Sequence, residues 1–196
     1  MKTLLLNGSP RSGGMIARML AMAAEIAGNE EDVEMVNVYR AEIKPCTGCM
    51  ACRRTGVCSL PPDDAHRIAQ WIREADLIVV GTPTYWANMS GGLKNLFDRL
   101  VPVFMGESRR GMPVKLLRGK RGIIVTACTT PWPFDRLFGQ SSGAVRAVRE
   151  VLQAGGVKTS AIRIAGTKGR KGNVPQRYIV RLTRLVLRAK RRSDNK

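Results

Sequence analysis

Cys46, Cys49, Cys52 and Cys58 lie within 13 residues in the spacing C-x2-C-x2-C-x5-C. Two successive x2 spacings let one short loop wrap three corners of a cube, and a turn at Gly56 brings the fourth sulfur from further along the chain. That is the ligand logic of a 4Fe-4S centre, although the ferredoxin run has x3 and a following proline instead. A tetrahedral zinc site on the same sulfurs, or free and redox-active thiols, would use the same residues. Lys44, Arg53 and Arg54 would stabilise thiolates in each case. So tight a cluster is unlike a disulfide framework spread over a secreted domain, and it fits a reducing compartment.

Two further stretches carry chemistry. Gly8-Ser9-Pro10-Arg11-Ser12-Gly13-Gly14 offers backbone amides at a helix start, two hydroxyls and a cation, an anion site suited to a phosphate. Gly-x-Gly-x-x-Gly and Walker A are both absent, and no acid ends the second strand, so a mononucleotide is expected rather than a dinucleotide. Pro83-Thr84-Tyr85-Trp86-Ala87-Asn88-Met89-Ser90-Gly91 sets two aromatics among small polar residues, able to cover a flat ring whose heteroatoms bond to amides. The only histidine is His66, which excludes two-Cys two-His zinc and histidine-dependent nucleophilic catalysis. The chemistry must come from a cofactor, and no catalytic side chain is assigned. His66 itself is expected at the surface of a helix's first turn.

The elements that would position these stretches follow from periodicity. Thr3 to Asn7 is a short apolar run, a strand buried on both faces, and Ile16, Met19, Leu20, Ala23 and Ile26 then keep helical spacing as far as Gly28. Val33 to Tyr39 makes a second strand, and regular structure is lost from about Arg40 to Pro62. Asp63 or Asp64 caps a helix with Ile68, Trp71 and Ile72. Leu77 to Val80 is the third strand, ending at Gly81. Leu93 to Val101 marks a helix, Gly122 to Ala127 the fourth strand, Val145 to Leu152 a helix stopped by Gly155-Gly156, and Thr159 to Ala165 the fifth strand. The last helix begins near Val174-Pro175. Alternating strands and helices imply an α/β, three-layer, doubly wound parallel sheet of five strands, with ligands outside the strands' carboxyl ends. Residues 1–196 read as one domain.

Together these loops resemble the NADPH-dependent FMN reductases, which have a flavodoxin-like fold. The resemblance is carried by Gly8-Ser9-Pro10-Arg11, Gly81-Thr82-Pro83-Thr84-Tyr85-Trp86 with Ser90, Leu93-Lys94, Phe97-Asp98-Arg99, and Thr126 to Trp132, and it runs from Lys2 to about Gly166. It implies strand order 2-1-3-4-5, with the FMN phosphate on Ser9, Arg11, Ser12 and the amides of Gly13 and Gly14. The isoalloxazine would lie against Pro83, Thr84, Tyr85, Trp86 and Asn88, with Ala127, Cys128, Thr129 and Thr130 closing another side. Cys128 is expected there as a small buried residue rather than a nucleophile. The family has Asn or Ser and then Thr where this chain has Met15 and Ile16, so amides or Arg11 must replace a hydroxyl. The cysteine loop looks like the compact motif of iron-sulfur flavoproteins, a branch of the same superfamily, and the strand order brings it to the flavin's edge of the sheet.

The resemblance implies a homodimeric NAD(P)H:acceptor reductase, of flavin or quinone type, in which nicotinamide passes hydride to FMN and a cluster would convert this to single-electron transfer. Two other classes are compatible with the residues: an iron-sulfur electron carrier serving ferredoxin-like partners, and a basic nucleic-acid-binding module on a degenerate flavodoxin fold. The formal charge is +18, and residues 163–196 hold 12 basic side chains against Asp194 alone. The basic face of the last helix is expected to be solvated and to end in a disordered tail from Lys190, so neither nucleic acid nor membrane is counted as a partner. No apolar run reaches 18 residues and the amino terminus does not resemble a signal peptide, which leads to the expectation of a soluble, cytoplasmic protein.

Overall fold

The computed structural model describes residues 1–170 and 172–193, with the side chain of Glu30 left aside. In chain order the elements are β1 (Thr3–Asn7), α1 (Met15–Ala27), a 3-10 turn (Glu30–Asp32), β2 (Val33–Asn37), α2 (Ala51–Thr55), α3 (Asp64–Glu74), β3 (Leu77–Pro83), α4 (Gly91–Arg99), α5 (Val101–Phe104), β4 (Met105–Glu107), β5 (Pro113–Lys115), β6 (Arg121–Ala127), α6 (Phe134–Leu137), α7 (Gln140–Ala154), β7 (Lys158–Ile164) and α8 (Gln176–Ser193).

Five strands form one parallel sheet in the order β2-β1-β3-β6-β7, the expected flavodoxin-like order with β6 and β7 as its fourth and fifth members. Side chains two residues apart share a face of a strand, and the core divides accordingly. Leu4, Leu6, Ile78, Val80 and Ile124 pack with α3, α4, α5 and α7 on one side. Leu5, Leu77, Val79, Ile123 and Val125 pack with α1 and α8 on the other. Helices on both faces make three layers, and the adjacent carboxyl ends of β1, β3 and β6 share one edge.

Several short pieces lie outside the periodicity reading. α2 occupies part of the cysteine stretch, and β4 and β5 form an antiparallel hairpin of three-residue strands in which Met105 pairs with Lys115. All of β5 is exposed, so neither strand carries a strong alternating signal. β2 stops at Asn37 rather than Tyr39, because the Asn37 carbonyl accepts the amides of Arg40 and Ala41 and turns the chain into the cysteine stretch. α8 remains helical through Ser193, so residues 190–193 are not a disordered tail; residues 194–196 lie outside the described residues. No helix among the described residues is long and apolar enough to cross a membrane.

Candidate functional site

The β1–α1 turn is built by its own polar atoms. The Asn7 side-chain oxygen accepts the Ser9 amide at 3.0 Å, and the Ser9 hydroxyl oxygen accepts the Arg11 amide at 3.2 Å. The Gly8 amide donates to the Gly81 carbonyl at 2.8 Å. A Cβ on Gly8 would stand only 3.0 Å from that carbonyl and from Leu93 Cβ, so glycine is what lets the ends of β1 and β3 meet. Gly14 caps α1 with no side-chain hydrogen bond, and the first turn holds no acid, so its amides and dipole are unopposed. Nothing stands within 4 Å of where a Gly13 Cβ would be. Met15 and Ile16 are buried in the α1 core cluster, which explains why they carry no hydroxyl for an anion. The donors left are Ser9, Ser12, Arg11 and the backbone, a set that fits a phosphate.

The loop after β3 is tied to this turn on one side and to the end of β6 on the other. The Ser90 hydroxyl donates to the Gly8 carbonyl at 2.6 Å, and the Ser90 amide donates to Thr82 Oγ1 at 3.0 Å. The Thr84 amide donates to the Ala127 carbonyl at 2.9 Å, while the Thr84 and Thr126 hydroxyls bond to each other at 3.0 Å. Tyr85 and Asn88 exchange backbone hydrogen bonds of 3.0 and 2.9 Å around Trp86 and Ala87, whose φ values are 50° and 55°. Two consecutive left-handed residues mark a type I′ turn, normally filled by Asn-Gly. Trp and Ala are strained there, and α7 holds them: a Cβ on Gly143 would collide with the Ala87 carbonyl oxygen. Trp86 stands 98% exposed at the tip, a flat apolar surface with no protein partner to cover it.

The β6 loop closes the third side. The Cys128 amide donates to the Ile164 carbonyl at 2.9 Å, and the Thr130 carbonyl accepts the Gly166 amide at 2.9 Å. Burial, with the Asp135 carboxylate nearby, pushes the Cys128 thiol up to about 11, so it is a neutral thiol at neutral pH. Asp135 is itself buried and accepts the Ser141 hydroxyl at 2.6 Å, which joins this loop to α7. Beyond it, Trp132, Phe134 and Phe138 are exposed, with the two phenylalanine rings stacked at 5.9 Å.

The cysteine loop lies against α3 and α4. Cys46 and Cys49 are exposed, Cys52 and Cys58 half-buried, and all four are free thiols. Burial, then the nearby Cys58, Cys46 and Cys49, pushes the Cys52 thiol up, so the four share one electrostatic neighbourhood. The Ser59 hydroxyl, first among several hydrogen bonds, holds Cys49 below the ordinary thiol value. No group of three His, Cys, Asp or Glu among the described residues could hold a metal ion. Four sulfurs in one loop are the donor set of a 4Fe-4S cluster and equally that of a tetrahedral zinc site.

His66 is not a simple surface residue. Its Nδ1 takes the Asp63 amide at 3.2 Å in a capping box for α3, and its Nε2 meets the Cys58 carbonyl at 3.2 Å. Sequence reasoning also left Arg99 without a role. It is 2% exposed, and it bonds Asp63, Lys44 and Cys58 together. Arg99 ends α4 and Ser90 caps its start, so one nine-residue helix links the Cys58 contact to the Gly8 turn.

Fold and loops together define a flavodoxin-like protein whose polar and aromatic loops gather at the carboxyl edge of its sheet. The model of the NADPH-dependent FMN reductase family matches residues 1–134, and the chain belongs to that family. An iron-sulfur flavoprotein of Archaeoglobus fulgidus is 39% identical over 109 residues, 56% of this chain and 53% of that protein. An iron-sulfur flavoprotein of Methanocaldococcus jannaschii is 34% identical over 107 residues, 54% of this chain and 55% of its own. The chain spans about half the length of these curated relatives. Among solved structures, an NAD(P)H:quinone oxidoreductase from Methanothermobacter marburgensis superposes with a TM-score of 0.71 at 15% identity, covering 95% of this chain and 97% of that one, a likeness of fold.

Proposed function

We propose that this protein is an FMN-dependent NAD(P)H:acceptor oxidoreductase of flavin or quinone type, with a 4Fe-4S cluster in the loop of Cys46, Cys49, Cys52 and Cys58. The observation that carries the reading is the uncapped, acid-free start of α1 tied through Ser90 to the strained aromatic turn at Trp86. One end of this crevice suits a phosphate and the other a flat ring. The names of the Archaeoglobus and Methanocaldococcus relatives support the cluster.

Bound FMN would supply the hydride-accepting chemistry that no side chain here offers. Ser9, Ser12, Arg11 and the amides of Gly13 and Gly14 hold its phosphate, and Pro83, Thr84, Tyr85, Trp86 and Asn88 orient its ring. Ala127, Cys128, Thr129 and Thr130 close the far side, where a neutral Cys128 thiol adds no charge. His66 is engaged in capping α3 and is not an acid or base for the reaction. Free thiols throughout support a reducing cytoplasm. Exposed Trp132, Phe134 and Phe138 support a homodimer. Residues 1–196 form one domain in this reading, since both apolar clusters pack on one sheet.

Anaerobic purification, an absorption spectrum with iron and sulfide analysis, and rapid mixing with NADPH or NADH test the proposal. The expected result is flavin near one per chain, bleached promptly by a reduced nicotinamide. Flavin that binds but is bleached by neither nucleotide would leave an electron carrier, and a protein that binds no flavin would end the reading altogether.

A further inference from the structure

The buried guanidinium of Arg99 is the one cation hydrogen-bonded to a cysteine of the loop among the described residues. Its Nε points at Cys58 Sγ, 3.2 Å away. Nη1 donates to the Lys44 carbonyl at 2.7 Å and to Asp63 Oδ2 at 2.6 Å, and Nη2 donates to Asp63 Oδ1 at 3.1 Å. One planar side chain thus grips the entry of the cysteine loop at Lys44 and its last sulfur at Cys58, against the carboxylate that caps α3. A thiol is a weak acceptor, whereas a thiolate makes a short, charge-assisted bond to guanidinium. Of the four sulfurs, Cys58 is the one that accepts a hydrogen bond from a buried cation among the described residues.

We propose that Arg99 is a positioning residue of the cysteine site: it fixes Cys58 as the corner nearest a buried cation and raises the reduction potential of the group the four sulfurs hold. The inference rests on reading the loop as a cluster site. A hydrogen bond from a cation to a ligand sulfur favours the more negative, reduced form, so its loss moves the potential downward. Asp63 offsets part of the charge but leaves the N–H bond to sulfur in place.

The test uses the full chain loaded with iron and sulfide, comparing wild type with R99Q and R99K by iron content and by midpoint potential in a redox titration followed by electron paramagnetic resonance. R99Q is expected to titrate at a lower potential than wild type, with R99K, which keeps the charge but not the fork, falling between them. Unchanged potentials in both variants at full iron content would overturn the role of Arg99 while leaving the cluster reading intact. A wild-type protein that takes up no iron would overturn both. If the variants do not fold, hyperfine spectra of the reduced wild-type protein labelled with nitrogen-15 arginine replace them. A coupling from an arginine nitrogen is expected, and its absence would overturn the proposal.

Discussion

Ser9 stands between two roles, since its hydroxyl oxygen already accepts the Arg11 amide while its hydrogen is left for an anion. Ser9→Ala is expected to weaken FMN binding about tenfold, read by quenching of FMN fluorescence, because it loses a donor to a charged oxygen and loosens the turn. Cys128 makes a second prediction. With its folded value near 11 against an ordinary 9.0, an unfolded chain gives up this proton first. Its contribution to stability is therefore complete below about pH 9 and is lost as pH rises toward 11, a fall of up to roughly 2 kcal/mol. Denaturant titrations across alkaline pH should show that fall in wild type and a flatter profile in Cys128→Ala. Asp63 carries the opposite sign. Burial raises it, but hydrogen bonds from Arg99 and the Lys44 amide more than offset this and leave it below the ordinary carboxylate value. What it contributes is whole above the unfolded carboxyl range and disappears as acid protonates it.

At the scale of elements, the Tyr85–Asn88 turn is held from outside by α7. Gly143→Ala is expected to destabilise the protein by about 1–3 kcal/mol, seen as a lower Tm, and to weaken FMN binding as well, because the added methyl group must displace the Ala87 carbonyl. Ala87→Gly should do the reverse. Relief of a left-handed alanine stabilises by up to about 1 kcal/mol, less the entropy that glycine adds to the unfolded chain, so Tm is expected to hold or rise. The contrast separates strain in the turn from pressure upon it. That this stretch is a turn-rich loop after β3 was legible from its small polar residues. Its strain was not, because nothing in Trp86-Ala87 reads as a type I′ pair; only the packing of Gly143, far along the chain, imposes it. The hairpin of β4 and β5 was illegible for a different reason: its exposed three-residue strands bury too little to leave a pattern.

Over the whole molecule, charge and family likeness divide the chain differently. Residues 1–100 carry 11 basic and 11 acidic side chains, and residues 101–196 carry 22 and 4, so the entire +18 lies in the second half. The family match ends at residue 134. The ion pairs Lys2–Glu74, Arg67–Asp64, Lys94–Asp98 and Arg99–Asp63 all belong to the first half. In the second half, burial and then Arg136, Arg149 and Arg181 press Arg163 below its ordinary value, which is self-repulsion at the β7 edge. Arg181→Gln is therefore expected to raise Tm slightly at low salt, with the gain shrinking as salt is added. By itself the sequence determined the alternation of strands and helices, the polar glycine-rich turn between β1 and α1 and the cysteine set, because burial period, turn chemistry and residue spacing are local properties of a chain. Tertiary structure alone decided that Ser90 bonds Gly8 across 82 residues, and that Arg99 reaches Asp63 across 36 and Cys58 across 41. Such meetings depend on which strands pair and in what register, and a free energy shared among distant residues leaves no mark on any one stretch of sequence.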